Sequence, residues 1–398
     1  MLTQPYFVPW LPPIGHLHPQ SSLFDTSSSK ILSFKQSAPR PKEGFQAEHH
    51  VLYTQNKENS ARRSKKTTRF IPQTAERILD APELKQDFYL NLLEWSSQNI
   101  IAVALAETVY LWNAGSGTIS ELCSLDTSAG NDYVSSVSWV GDGSYLAVGT
   151  AENKVMLWDV ANEKKVRTMY SAGGRVAAMA WNEHTLSTGS VGGTIYNHDV
   201  RIQQHVTQEL HSHTQEVCSL KWSLDGKYLA SGANDNIVNI WNGNGTVHKQ
   251  LTEHRAAVKG LAWCPWQSNL LATGGGTADR TIRFWNASTG AHLNKIDTKS
   301  QVSSLVWNKE HKEIISGHGF SQNQLSIWSY PTLNKVADLT GHQDRILSMA
   351  ASPDGQTIVS AAGDETLRFW KCFGSDGSSK KAKKTSGSAA GKLTATLR

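Results

Sequence analysis

Cysteine is scarce in this sequence, and the few cysteines are scattered. Cys123, Cys218, Cys264 and Cys372 are far apart in a chain of 398 residues and form no Cys-x-x-Cys pair. They also have no regular association with the histidines. Neither a disulfide framework nor a zinc site is indicated, so we expect no metal and no cofactor.

Long apolar runs and the usual enzyme signatures are missing as well. No run of 18 apolar residues occurs, and the N-terminus has prolines but no basic segment before an apolar core. We therefore expect a protein of the cytoplasm and nucleus with no membrane partner. The triple glycine at 274–276 lacks a following Gly-Lys-Ser/Thr, and no nucleophile elbow is present, so a scaffold or peptide-binding role is favoured over catalysis.

The formal charge of +5 is unevenly distributed. Residues 1–80 carry 11 Lys/Arg against 6 Asp/Glu, and residues 371–398 carry 7 against 1. Residues 81–370 are mildly acidic, with 21 basic and 27 acidic residues. This balance favours basic peptide ligands and gives no reason to expect a nucleic-acid partner.

The clearest example of a repeated unit runs from His213 to Trp241. Its alternating apolar residues and its two turns predict three strands, at 217–222, 228–231 and 237–241. Three strands with two apolar faces bury little on their own. The unit must therefore stack against copies of itself.

The unit recurs at an almost fixed spacing. The predicted third strands end at Trp112, Trp158, His198, Trp241, Trp285, Trp328 and Trp370, with spacings of 46, 40, 43, 44, 43 and 42 residues. The predicted first strands end at Trp95, Trp139, Trp181, Trp222, Trp263, Trp307 and Ala351. A period in the low forties predicts an all-β fold, a seven-bladed WD-repeat β-propeller. The last unit has only three predicted strands, at 346–351, 357–360 and 366–370, so we expect the segment before Phe88 to supply the fourth.

Three of the units carry histidine, a hydroxyl residue, aspartate and tryptophan at matching positions. The sets are His213, Ser231, Asp235 and Trp241; His254, Thr273, Asp279 and Trp285; and His342, Ser360, Asp364 and Trp370. A catalytic triad would occur once, whereas a buried hydrogen-bonded network recurs with the repeat. We therefore predict a structural role for all three sets.

The chain divides into three predicted parts. Residues 1–67 form a disordered N-terminal tail with short linear motifs, residues 68–373 the propeller, and residues 374–398 a disordered basic C-terminal tail. Basic residues cluster in each tail, at 62–66 and at 380–384, and each cluster fits either a nuclear-import signal or a solvated linker. The apolar Ile31, Leu32 and Phe34 fit either a strand that adds to a partner's sheet or local collapse.

Several segments resemble the Fizzy proteins. They are RFIPQTAERILDAP at 69–82, DFYLNLLEWS at 87–96, TQEVCSLKW at 214–222, WCPWQSNLLATGGGTADR at 263–280, EIISGHGFSQNQL at 313–325 and DETLRFW at 364–370. The resemblance covers residues 30–398. It implies a mitotic co-activator of the anaphase-promoting complex, a non-enzymatic receptor that brings destruction-box and KEN-bearing substrates such as cyclin B and securin to a ubiquitin ligase. It also implies targeting by the spindle assembly checkpoint, and a location at spindle poles and kinetochores in mitosis.

The resemblance also implies two degron sites. The residues implied for the Lys-Glu-Asn (KEN) motif are Tyr133, Asn234, Asn236, Thr277, Gln301 and Arg345. Turn chemistry is the alternative explanation for these residues, since Asn and Thr are common in turns. In the destruction-box groove, the resemblance assigns Leu105 to the motif's leucine and Glu365 to its arginine. Family members carry an acidic residue at the position of Ala106, so Glu107 is a second candidate for the arginine.

Short motifs in the tails resemble docking segments of the family. Lys30, Ile31, Leu32 and Phe34 resemble the segment that the mitotic checkpoint HORMA protein clasps as an added strand, and a BubR-type pseudo-substrate is a further implied partner. Leu397-Arg398 resembles the tail that docks onto a ligase subunit. The family's C-box is not found, because Thr68 and Thr74 flank the core at 69–72 where the motif needs Asp and Arg. We interpret that segment as a second copy next to the propeller, and the first 29 residues as an alternative start.

Two alternative functions stay open from the sequence. The first is a regulatory isoform without a C-box, which binds checkpoint proteins or substrates without activating the ligase. The second is a Fizzy-related activator of G1, which the segment at 30–34 disfavours. The tripeptide Lys57-Glu58-Asn59 could itself be a degron.

Overall fold

The repeated pattern of short apolar strands and Gly/Asn/Asp turns folds into four-stranded antiparallel sheets. The computed structural model describes residues 69–126, 132–374 and 395–396, and the regular structure of this part of the chain is β-strand. In it we find no helix that is long and apolar enough to cross a membrane. Each blade is one sheet in which consecutive strands pair as hairpins.

Six blades are continuous in sequence. Blade 1 consists of β2 (Leu93–Trp95), β3 (Ile100–Leu105), β4 (Thr108–Asn113) and β5 (Ile119–Ser124). Blade 2 consists of β6 (Val134–Trp139), β7 (Tyr145–Thr150), β8 (Lys154–Asp159) and β9 (Lys164–Tyr170). Blade 3 consists of β10 (Val176–Asn182), β11 (Thr185–Ser190), β12 (Ile195–Asp199) and β13 (Val206–Leu210).

Blades 4 to 6 follow in the same order. Blade 4 consists of β14 (Val217–Trp222), β15 (Tyr228–Ala233), β16 (Val238–Asn242) and β17 (Val247–Leu251). Blade 5 consists of β18 (Val258–Trp263), β19 (Leu270–Gly275), β20 (Thr281–Asn286) and β21 (Ala291–Asp297). Blade 6 consists of β22 (Val302–Asn308), β23 (Glu313–His318), β24 (Leu325–Ser329) and β25 (Lys335–Leu339).

Blade 7 joins the two ends of the propeller. It contains β26 (Ile346–Ala351), β27 (Ile358–Ala362) and β28 (Thr366–Trp370), and β1 (Arg77–Asp80) pairs antiparallel with β28. A short fifth strand, β29 (Ala395–Thr396), pairs parallel with β1. The innermost strands β2, β6, β10, β14, β18, β22 and β26 contact one another in a closed ring. The predicted seven-bladed propeller is therefore confirmed.

Several strand ends differ from those predicted. Strand β15 continues to Ala233 and β27 to Ala362, two residues beyond the predicted ends. Both extensions keep pairing with the next strand, because Gly232 faces Val238 and Ala362 faces Thr366. The ladder therefore extends through small residues that looked like the start of a turn.

The innermost strands share one irregularity. In blades 2 to 7 the ladder between the first and second strands skips one residue directly after the first pair, as a β-bulge does. The skipped residues are Ser135, Ala177, Cys218, Lys259, Ser303 and Leu347. Because a bulged residue is left out of the ladder, its backbone groups are available to partners in the central channel.

Tryptophans at the ends of the innermost strands join successive blades. The indole N–H groups of Trp139, Trp181, Trp263 and Trp307 donate to backbone carbonyls of the preceding blade's first strand, at 2.9–3.3 Å, and Trp222 donates to Ser187 Oγ. Within the described residues, no indole bond of this kind joins blade 7 to blade 6 or to blade 1. Ala351 has no indole, and Trp95 donates to Asn99 of its own blade.

The predicted structural networks form in all three blades. His213 Nε2 lies 2.7 Å from Ser231 Oγ and its Nδ1 lies 3.0 Å from Asp235, while the Trp241 indole donates to Ser231. The sets of His254 and His342 repeat these contacts. The histidine side chains are fully buried, so these groups hold strands and turns together and are closed to a substrate.

Candidate functional site

A cavity of about 800 Å³ opens at the end of the propeller where the innermost strands begin. We call it the upper cavity. Its lining comes from the connection between blades 7 and 1 and from loops of blades 4 to 7. The lining residues are Lys85, Gln86, Asp87, Phe88, Tyr89, Asn234, Asn236, Arg255, Ala256, Ala257, Gly276, Thr277, Ala278, Gln301 and Arg345.

Five of the six residues implied for KEN recognition lie together in this lining: Asn234, Asn236, Thr277, Gln301 and Arg345. They come from turns of blades 4 and 5 and from the entries to blades 6 and 7. Asn236 adopts a φ of 67°, a backbone conformation that Asn tolerates better than most residues. Turn chemistry therefore explains this Asn locally, and the turn also places it in the cavity lining.

Tyr133, the sixth of these residues, is not among the lining residues of the upper cavity. Its hydroxyl accepts a hydrogen bond of 3.1 Å from Arg175, and the ammonium of Lys85 lies 4.4 Å from the centre of its ring. Arg175 also bonds to Asp87 of the lining. Tyr133 therefore connects to the cavity wall through charged neighbours.

Part of the cavity lining comes from a segment that no sequence motif predicted to line a cavity. Residues 85–91, which we call the strap, lead from β1 to β2 and pass the channel mouth. The Asn91 side chain donates to the carbonyls of Ala177 and Cys218, at 2.7 and 2.9 Å. Its backbone N–H donates to Ser135. The strap is thus anchored on bulged residues of blades 2, 3 and 4, a contact that no sequence periodicity encodes.

A partly buried cluster of charges lies beside the strap. Arg175 forms ion pairs with Glu216 at 2.6 Å and with Asp87 at 2.8 Å. Burial raises the pKa of Glu216 although Arg175 opposes that shift. Burial, with Cys218 and Glu216 nearby, also raises the pKa of Tyr89. Tyr89 therefore keeps its proton at neutral pH and can donate to Asn234.

The residues implied for the destruction box lie near the junction of blades 7 and 1. Leu105 is 5% exposed at the end of β3, whereas Glu365 is exposed in the turn between β27 and β28. The backbone N–H of Ala81 donates to the Glu365 carbonyl, and that of Ala106 donates to Glu83. Residues 81–83 therefore bridge the two turns. Of the residues implied for the destruction box, Leu105 is buried, Glu107 is partly exposed and Glu365 is exposed.

The segment at 69–72 packs against the propeller. The Arg69 guanidinium donates to the Cys372 carbonyl at 2.8 Å and forms an ion pair with Glu313. It also lies 5.0 Å from the centre of the Phe373 ring. The Arg69 side chain is thus engaged within blades 6 and 7, while Phe70 is 75% exposed.

Two sets of predicted docking residues lie outside the part of the chain whose structure is described. They are the checkpoint segment Lys30, Ile31, Leu32 and Phe34, and the C-terminal Leu397 and Arg398. Their assignments rest on the sequence resemblance alone.

The fold is that of a WD-repeat propeller with a cavity lined by polar residues at one end of its channel. Comparison with known sequences specifies the family. The family model described as the CDC20/Fizzy WD40 domain matches residues 79–370. The chain belongs to the CDC20/Fizzy family, as its resemblance to the Fizzy proteins predicted.

Individual relatives support the same assignment. The Dictyostelium discoideum protein named anaphase-promoting complex subunit cdc20 is 51% identical over 365 residues, which cover 89% of this chain and 73% of that protein. Cell division cycle 20.1, a cofactor of the APC complex in Arabidopsis thaliana, is also 51% identical, with coverage of 89% and 78%. A chain in a crystal structure of the mitotic checkpoint complex matches with a TM-score of 0.75 and 47% identity, covering 87% of this chain and 99% of that one.

Proposed function

We propose that this protein is a substrate-recognition co-activator of the anaphase-promoting complex, which binds KEN motifs in the upper cavity and destruction boxes near Glu365. The main supporting observation is that five of the residues named from the resemblance, from four separate segments of the sequence, line one cavity. Relatives named as subunits or cofactors of that complex support the ligase assignment. A structural neighbour from a mitotic checkpoint complex supports the checkpoint proteins as partners.

The chemistry of the cavity suits a short peptide with charges of both signs. Arg255 and Arg345 offer cations to the peptide's glutamate, and Asp87 offers a carboxylate to its lysine. Asn236, Thr277 and Gln301 carry amide and hydroxyl groups for the peptide's asparagine. A tripeptide that satisfies all three sets would be selected by hydrogen bonds and ion pairs more than by apolar contact.

In this proposal the protein accelerates ubiquitin transfer by proximity. Holding a substrate beside a ligase raises the effective concentration of its lysines without any chemistry by the propeller itself. Substrates such as cyclin B and securin, and capture of residues 30–34 by the checkpoint HORMA protein, belong to the same proposal. The spindle poles and kinetochores are its proposed sites in mitosis.

The test is a binding titration with two labelled peptides, one carrying Lys-Glu-Asn and one carrying Arg-x-x-Leu. We expect both to bind saturably and neither to displace the other, because their proposed sites lie in different parts of the propeller. Peptides in which Lys, Glu or Asn is replaced by Ala serve as controls and should bind more weakly. Absent binding, or binding that ignores these replacements, would contradict the proposal.

A reconstituted ubiquitination assay separates this function from the regulatory alternative. We expect the full chain, added to purified ligase, to stimulate ubiquitination of a cyclin B fragment, and the stimulation to need the fragment's degron. A chain that binds both peptides and leaves ubiquitination at its basal rate would support the regulatory alternative instead.

A further inference from the structure

Lys259 is an unusual buried cation in this propeller. It is the bulged residue of β18, skipped between the pairs Val258–Gly275 and Gly260–Gly274. Its side chain enters the central channel, and the residue is only 4% exposed. A lysine is almost never buried without partners, so its contacts identify what it does.

The ammonium of Lys259 joins three parts of the molecule. It donates to the carbonyl of Leu90 in the strap at 2.9 Å and to the carbonyl of Leu347 in blade 7 at 2.7 Å. It also lies 5.5 Å from the centre of the Phe88 ring, again in the strap. Hydrogen bonds from a cation are roughly twice as strong as those between neutral groups. Lys259 therefore fixes the strap from blade 5, opposite the anchors that Asn91 makes to blades 2, 3 and 4.

The charges around Lys259 leave its protonation state finely balanced. Burial lowers the pKa of Lys259 to about 8, although Cys218 and Asp87 oppose that shift and Arg345 adds to it. Burial keeps the pKa of the Cys218 thiol well above its usual range, and that of Tyr89 is also raised.

We propose that Lys259 is a positioning residue for the upper cavity, whose ammonium holds the strap so that Asp87 and Tyr89 line the cavity. The inference rests on the proposed KEN-binding function and deepens it. Lys259 is not itself a lining residue of the cavity, so it acts on a bound peptide through the strap. Degron affinity should therefore depend on a residue that the degron does not touch.

The decisive variant is Lys259→Met, which keeps the length of the side chain and removes the ammonium. At pH 7 we expect its affinity for an N-acetylated Lys-Glu-Asn peptide to fall about tenfold, measured by fluorescence anisotropy. Its affinity for an Arg-x-x-Leu peptide should stay within twofold of wild type. Lys221→Met is the matched control, since Lys221 lines the same channel but has a 51% exposed side chain, and it should bind both peptides normally.

A pH profile distinguishes positioning from general stabilisation. Between pH 7 and pH 9 the wild-type affinity for the Lys-Glu-Asn peptide should fall about threefold or more, while that of Lys259→Met stays flat. This profile uses the wild-type protein and tests the inference even if the variant does not fold. A flat wild-type profile, a variant within twofold of wild type, or an equal loss for both peptides would overturn the inference. If the wild type binds no Lys-Glu-Asn peptide at all, the proposed function fails together with it.

Discussion

The hydroxyl of Tyr89 donates a hydrogen bond of 2.9 Å to Oδ1 of Asn234, which joins the strap to the rim of blade 4. The amide nitrogen of Asn234 donates in turn to Gln215 at 2.8 Å. Both polar atoms of Asn234 are thus engaged within the protein. Asn234 consequently helps to shape the upper cavity, and each of its polar atoms keeps one further hydrogen-bonding position.

Replacement of Asn236 by Gly should weaken binding of a KEN peptide by about 1–3 kcal/mol, the cost of a lost buried hydrogen bond. Glycine is the suitable replacement because φ is 67° at this position, where Ala would add backbone strain. Arg345→Ala should weaken the same peptide by a comparable amount. Isothermal titration measures the affinities, and thermal unfolding should remain near wild type. Unchanged affinity in both variants would place the KEN site elsewhere.

Glu365→Gln should weaken an Arg-x-x-Leu peptide by about 0.5–1 kcal/mol, because an exposed ion pair contributes little in water. The replacement removes the charge and keeps the shape, and the KEN peptide should bind as before. Glu107→Gln is the comparison, since it tests the second acidic candidate. A loss confined to Glu107→Gln would transfer recognition of the arginine to that residue.

The period of the repeat predicted the architecture well because each blade encodes its strands and turns locally. The His213 network was also predictable, since its members recur at fixed offsets within a blade. The strap was not, because Asn91 bonds to Ala177 and Cys218 across the channel and these contacts join distant parts of the chain. Five of the six residues named from family resemblance line one cavity, and the sixth, Tyr133, is linked to that cavity through Arg175.

The tryptophan bonds between blades predict an asymmetry in stability around the ring. Trp263→Phe removes the indole N–H that donates to the Lys221 carbonyl of the preceding blade, at 2.9 Å. Trp95→Phe removes only a bond to Asn99 within its own blade. Both variants lose similar apolar volume, so the first should cost about 1 kcal/mol more, since it unpairs a carbonyl between blades. Urea unfolding of the two proteins measures the difference, and equal losses would show that the bonds between blades contribute nothing extra.

Acid should destabilise the propeller through buried histidines, of which His318 is the clearest. The Trp328 indole donates to Ser316 Oγ, which lies 2.7 Å from His318 Nε2. His318 Nδ1 lies 3.1 Å from the carbonyl of Gln301, so a neutral ring that donates from Nδ1 and accepts at Nε2 satisfies the network. Burial lowers the pKa of His318 to about 4.

The sign of the effect follows from proton uptake. An unfolded histidine has a pKa of about 6.5, so below that pH the unfolded chain binds a proton that folded His318 refuses. Stability is therefore unaffected above pH 6.5 and falls between about pH 6.5 and pH 4. From pH 7 to pH 5 this histidine alone should cost about 2 kcal/mol.

The measurement compares wild type with His318→Gln in urea at pH 7 and at pH 5. The variant cannot titrate at this position, so its stability should fall by about 2 kcal/mol less than that of wild type between the two pH values. Other buried groups, such as His198, titrate equally in both proteins and cancel in the difference. Parallel losses would mean that His318 is protonated in the folded state.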